Sequence, residues 1–188
     1  VFLVLGHLGM AIEGPPAEFI DGKIIRSDFY LQIFYFSLGF IVVGVGFLKA
    51  SISTLVGSLY EKNDPRRDSG FTIFYMGINI GAFLATLACA YIGEVYGWRF
   101  GFGLAGIGMV FGLITFLVGT KWLEGLGAPP EPEKLSKMIL LGISAEKLIY
   151  FLGLMFVFLV WVLIQMSGEL GFFLITIGTI TVSWIIWF

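Results

Sequence analysis

The sequence predicts an all-α membrane protein, and three observations carry that prediction. Hydrophobic residues fill 58% of the 188 positions and charged residues only 13%, about half the charged share of an ordinary soluble domain. Mean hydropathy is +0.96. Charge-free stretches recur at about the 20 residues a helix needs to cross a bilayer. Positions 69–93, 100–120, 148–168 and 170–188 carry no charge, and 29–60 carries one, Lys49.

Taken in order, the stretch 1–12 is uncharged but short, so it reads as the tail of a helix that began earlier. Val1 is not an initiator methionine, and no charged segment precedes the apolar run as a signal peptide would require. The expectation is an internal piece of a longer protein. Spans at about 1–13, 29–60, 69–93 and 99–120 are expected to form part of one transmembrane bundle, 1–121. The run "APPEPE" at 128–133 cannot continue a helix, because proline lacks the backbone donor and clashes with the preceding turn. Positions 122–147 therefore read as a linker. Positions 148–188 read as a separate accessory transmembrane hairpin with Gln165, Glu169 and scattered Ser and Thr as its only polar groups.

The connectors alternate in charge. Those at 61–68 and 122–147, with Lys121 at the latter's edge, collect seven cations, and the other two collect three. The bias of Lys and Arg toward the cytoplasmic side places 61–68 and 122–147 in the cytoplasm of a multi-pass protein of the inner (cytoplasmic) membrane. An even number of spans, zero included, should then precede Val1 if the parent's N-terminus is cytoplasmic. Trp98, Trp122, Tyr96 and Trp184 or Trp187 suit the interfacial aromatic belts. Glycine pairs one turn apart, Gly77/Gly81 and Gly108/Gly112, and the denser "GFGLAGIG" at 101–108 predict close helix packing.

Several classes are excluded. A single cysteine, Cys89, rules out a disulfide framework. No metal-ligand spacing, nucleophile–base pair or phosphate loop occurs, so no enzyme and no bound metal or cofactor is expected. No basic run suggests nucleic acid. His7 is the one histidine; a hydrogen bond to a neighbour is favoured over a proton site.

The informative polar groups lie inside the spans. Lys49 stands 12 residues before Glu61, so about 18 Å along a helix at about 1.5 Å per residue. That is near the middle of a hydrocarbon core about 30 Å thick. A central lysine costs at least roughly 2.5–3.5 kcal/mol, so it needs a watery cavity or a partner. One reading is a structural ion pair; the other is transport or proton coupling. In the next span Tyr75 and Asn79 are four apart and share a face continued by Ala82 and Thr86. Asn79 lies 11 residues after Asp68, at nearly the depth of Lys49. Tyr75 and Asn79 are therefore either glue between helices or, with Lys49, the wall of a polar cavity at the midplane, where transporters hold substrate.

The stretch "GFLKASISTLVGSLYEKNDPRRDSGFTIFYMGINIGAF" resembles the proton-dependent oligopeptide transporter family, a branch of the major facilitator superfamily. The likeness is strongest in "DPRRDSGFTIFYMGINIGAF" at 64–83, close to that family's second signature, and continues through "AYIGE" and "YGWRFGFGLAGIGMV". The resemblance implies helices three to six of an N-terminal six-helix bundle, followed by the two-helix hairpin that many bacterial members insert. It implies proton-coupled symport of di- and tripeptides, driven by the proton gradient without a cofactor. Lys49 then corresponds to the helix-four lysine tied to proton coupling and to the peptide carboxylate, and Tyr75 and Asn79 to helix-five residues that contact peptide. Lys49-Ala50-Ser51 departs from the frequent Lys-Pro-Asn and so lacks a source of helix kinking. Two alternatives accompany this reading: the same fold carrying nitrate or another small anion, and a non-transporting scaffold. In every case the remaining helices of the parent chain are required.

Overall fold

The computed structural model describes residues 1–129, 131–140 and 143–187, in which apolar helices are joined by mostly short connections. Helix α1 covers Phe2–Met10, α2 Asp28–Ser58, α3 Arg67–Tyr96 and α4 Trp98–Gly119, which a 3-10 turn extends to Trp122. Helix α6 covers Ala145–Gln165 and α7 Ser167–Trp187. Among the described residues four helices, α2, α3, α4 with its extension and α6, are long and apolar enough to cross a membrane. At 31 residues α2 measures about 46 Å, so it outreaches the hydrocarbon core or tilts within it. Apolar side chains such as Ile73, Phe83, Leu87, Phe111 and Leu117 stand exposed. A surface of that kind is unfavourable in water and at ease against lipid or further helices.

Two connectors contain small sheets that charge reading does not reveal. Between α1 and α2, strands β1 (Glu18–Ile20) and β2 (Lys23–Ile25) pair antiparallel. Their loop is Asp21-Gly22, with φ of 50° and 75°. A type I′ turn needs positive φ at both central residues, and Asp-Gly supplies it. Between α4 and α6, the expected linker holds a short helix α5 (Pro132–Ser136) and strands β3 (Met138–Leu140) and β4 (Ile143–Ser144). Proline takes the first turn of α5, where its missing N–H costs nothing.

Contact between helices runs through small residues, as hydrocarbon surroundings demand. On α1, Gly6 lies against the Ser37 carbonyl and Ile41, and Gly9 against the Ser37 side chain. Gly44 of α2 admits Phe2 and Leu3. Helix α4 meets α1 where Gly106 faces Leu8. Helices α3 and α4 turn about one residue, Gly97, at φ 112° and ψ 145°, a backbone conformation open essentially to glycine alone. Just beyond this corner Gly101 approaches the Cys89 carbonyl and the backbone of Gly93, which the Trp98 ring covers.

The expectation that Gly77/Gly81 and Gly108/Gly112 mediate packing is corrected here. Among the described residues a Cβ at any of the four would meet nothing within 4 Å. Gly77 and Gly81 lie on the side of α3 turned away from Gly93. Gly108 and Gly112 continue the stripe of Gly101, but too far from the Gly97 corner to be covered.

Helix α6 runs antiparallel along α2. Gly39 abuts the backbone of Val157, which is fully buried, and Gly153 abuts Phe47 and Phe2. Helix α7 follows after the single residue Met166 and touches α6 only sparsely among the described residues. The final expected span position, 188, lies outside the described residues.

Candidate functional site

Lys49 sits on the side of α2 that α1 and α6 leave uncovered, and it is exposed. Val42 and Val45, two turns and one turn away on the same face, are 53% and 45% exposed, and Gly46 looks onto open space. A cavity of about 420 Å³ between α1, α2 and α6 is lined by Leu48 and Ser51 but not by Lys49. Among the described residues Lys49 makes no hydrogen bond or ion pair. The cation expected from its depth is therefore present on an open helix face with its charge unanswered.

Tyr75 and Asn79 share an exposed stripe of α3. The Asn79 side-chain amide donates to the Tyr75 carbonyl at 2.9 Å, one turn back on the same helix. That bond uses one of its two N–H donors and leaves its carbonyl oxygen free to accept. The Tyr75 ring packs against Phe71 and Phe74 at centroid distances of 6.5 and 5.5 Å. Neither residue is joined to Lys49 by a hydrogen bond among the described residues. Helices α2 and α3 meet near their loop ends, where Gly57 lies beside Arg67 and Phe71, and Gly70 beneath the Tyr60 ring. Elsewhere α2 packs far more on α1 and α6 than on α3. The three candidate residues thus stand on uncovered faces of consecutive helices and are not brought into contact.

His7 behaves as the bland reading anticipates, since its Nδ1–H donates to the Leu3 carbonyl at 2.9 Å on its own helix. Glu13, Glu94 and Glu169 are exposed at helix ends. Lys121 places its ammonium 4.7 Å from the Trp122 ring centroid, an arrangement suited to an interfacial anchor.

The loop from α2 to α3 contains a hydrogen-bonded ion pair. Asp64-Pro65-Arg66-Arg67 forms a turn in which the Arg67 N–H donates to the Asp64 carbonyl at 3.0 Å. Aspartate first and proline second is the pairing such a turn favours. The Asp64 carboxylate accepts the Arg66 backbone N–H at 2.8 Å, Nε–H at 3.1 Å and Nη2–H at 2.9 Å. Spacing alone did not single out this pair, although the Asp-Pro order is its signal. The Arg66 side chain and backbone N–H hold the Asp64 carboxyl below its ordinary value. A lowered folded value means that this ordering is complete above the ordinary carboxylate value and is lost as pH falls through the lowered one. In hydrogen exchange, protection of the Arg66 amide should fall in that acidic window, and Asp64→Asn should remove the pH dependence.

The family model described as PTR2, POT family, matches residues 1–149. The chain belongs to the POT family. The match spans α1 to α4 with Lys49, Tyr75, Asn79 and the Asp64 turn, and it ends just inside α6. The chain is 42% identical over 142 residues to "Uncharacterized transporter YclF" of Bacillus subtilis, covering 76% of this chain and 26% of that protein. It is 40% identical over 116 residues to "Peptide transporter YePEPT" of Yersinia enterocolitica, covering 62% and 20%. The crystal structure of a peptide transporter POT in complex with sulfate superposes with TM-score 0.57 at 32% identity, covering 89% of this chain and 30% of that one. The chain spans less than a third of the length of the curated relatives it matches. As a POT family member it has apolar, membrane-spanning helices in the architecture of the major facilitator type.

Proposed function

We propose that the chain supplies one wall of a proton-coupled symporter of di- and tripeptides in the cytoplasmic membrane. Lys49 serves substrate binding and proton coupling, and Tyr75 and Asn79 contact the peptide. The observation that carries this reading is the Lys49 cation, which has no ion pair among the described residues and stands on the face of α2 that α1 and α6 leave open. A free ammonium in surroundings of low dielectric is a strong site for a carboxylate, which every peptide bears at its C-terminus. Asn79 retains an acceptor and Tyr75 a hydroxyl, groups able to receive and orient a peptide's polar backbone. The excess of cations in the loops at 61–68 and 122–147 supports placing these on the cytoplasmic side. The driving force is the proton gradient, and the missing helices of the parent chain supply the opposite wall and the carboxylate that exchanges protons.

The sulfate held by the related transporter makes carriage of a small anion the reading to set against this one. Full-length parent protein in liposomes decides between them. With an imposed inward proton gradient, radiolabelled dialanine should accumulate, and unlabelled dialanine should compete where nitrate does not. Competition by nitrate without competition by dialanine overturns the peptide reading.

A further inference from the structure

The most telling polar contact outside the Lys49 region joins α2 to α6. The Trp161 indole Nε1–H donates to Gln32 Oε1 at 2.9 Å, and Gln32 Nε2–H donates to Gln165 Oε1 at 3.1 Å. One glutamine on α2 thus accepts from and donates to two side chains on α6, at the end of both helices remote from the Asp64 loop. The Trp161 ring is held in place by Phe158 and Phe36, at centroid distances of 5.1 and 6.4 Å. Below this cluster the helices approach closely. A Cβ on Gly39 would lie 2.9 Å from the Val157 carbonyl, and one on Gly153 would lie 3.4 Å from Phe47. Contact therefore runs from Gln32 to the level of Phe47, and Lys49 emerges from the opposite side just beyond it.

We propose that Gln32, Trp161 and Gln165 form a latch that fastens α6 to the helix carrying Lys49, making α6 a brace that sets the resting position of α2. Gln32 lies in the first turns of α2 and Gln165 ends α6, so the exchange of directional hydrogen bonds at this end holds the two helices in one register. The buried Gly39–Val157 contact supplies close packing but no direction, because an apolar surface tolerates sliding. The polar latch supplies the register. Lys49 projects from the face opposite the brace, so a shift of α2 against α6 changes how far the ammonium reaches into the space it faces. This consequence for transport rests on the reading given under Proposed function; the latch itself does not.

Two measurements on the full-length parent separate these claims. The first is a double-mutant cycle on unfolding in detergent with Gln32→Leu, Trp161→Phe and the pair. The single changes should each destabilise, and the double should cost less than their sum by about threefold in the unfolding equilibrium, the size of an average side-chain hydrogen bond between membrane helices. Additive effects overturn the latch whatever the protein carries. The second places a cysteine at Val45, on the Lys49 side, and follows its labelling by an impermeant maleimide in a parent otherwise free of cysteine. Adding Trp161→Phe should change the labelling rate severalfold and alter maximal uptake more than KM. Unchanged labelling alongside a coupled cycle overturns the brace and leaves the latch. Changed labelling in a protein that moves no dialanine upholds the brace and sinks only the peptide reading.

Discussion

Lys49→Ala in the full-length parent should abolish proton-driven dialanine uptake in liposomes. Removing one member of a desolvated charge pair costs about 2–5 kcal/mol, so peptide affinity should fall by at least about 30-fold. If the same ammonium takes part in proton coupling, uptake driven by a pH gradient should vanish even at saturating peptide. Lys49→Arg keeps the charge but replaces a compact ammonium with a planar fork, so it should restore binding in part and coupling poorly. Stability should move the other way. Lys49 has no ion pair among the described residues, so Lys49→Met breaks none there and removes a charge from an apolar span, where a central lysine costs at least roughly 2.5–3.5 kcal/mol. An unchanged or raised thermal midpoint together with lost uptake marks a residue retained for function at the expense of stability. Undiminished pH-driven uptake by Lys49→Ala sinks the assignment. A sharp fall in the midpoint of Lys49→Met would instead reveal a structural ion pair with a helix of the parent.

Position along the chain's helices is legible in a sequence, and lateral arrangement is not. Hydropathy and charge placed the starts of α2 and α4 within two residues, because a bilayer punishes exposed backbone and charge so severely that few spans are permitted. The same counting set Lys49 and Asn79 at one level. It had no means of showing that α2 turns its inner faces to α1 and α6, leaving Lys49 and Asn79 apart on open faces. Glycine spacing suffered the same limit. Gly77/Gly81 and Gly93/Gly101 look alike as small residues, and only the Gly97 corner decides which pair is pressed together. The bond between Gln32 and Trp161 joins positions 129 apart and that to Gln165 positions 133 apart, far beyond any local period. The β1–β2 turn also went unread, although its signal, Asp21-Gly22, is local, because the connector was read for charge alone.

That corner carries the second large effect, expected of Gly101→Ala. A Cβ at Gly101 would stand 2.7 Å from the Cys89 carbonyl oxygen, 3.2 Å from Gly93 Cα and 3.3 Å from Gly93 N. All three are backbone atoms, so no rotamer change relieves the clash, and α3 and α4 must move apart. Forcing extra volume into a close-packed contact costs about 1–3 kcal/mol. Against this, alanine gains about 0.5–1 kcal/mol over glycine in a helix interior, so the net remains destabilising, and Gly101→Leu should cost more. Gly112→Ala is the matched comparison, since it brings the same helix gain without a neighbour within 4 Å. In the parent, the thermal midpoint should fall by several degrees for Gly101→Ala and hold or rise for Gly112→Ala. Cys89 offers a local readout, because separation of α3 from α4 uncovers its half-buried thiol and should speed its modification by maleimide. Equal midpoints and equal Cys89 labelling in the two variants would show that the α3–α4 corner is not the tight contact described. A fall for Gly112→Ala as large as that for Gly101→Ala would place another helix of the parent against Gly112. The corner itself sits on Gly97, where any side chain meets the strain of φ 112°. Gly97→Ala should therefore loosen the same pair of helices without adding volume between them, raising Cys89 labelling by a route independent of the Gly101 clash.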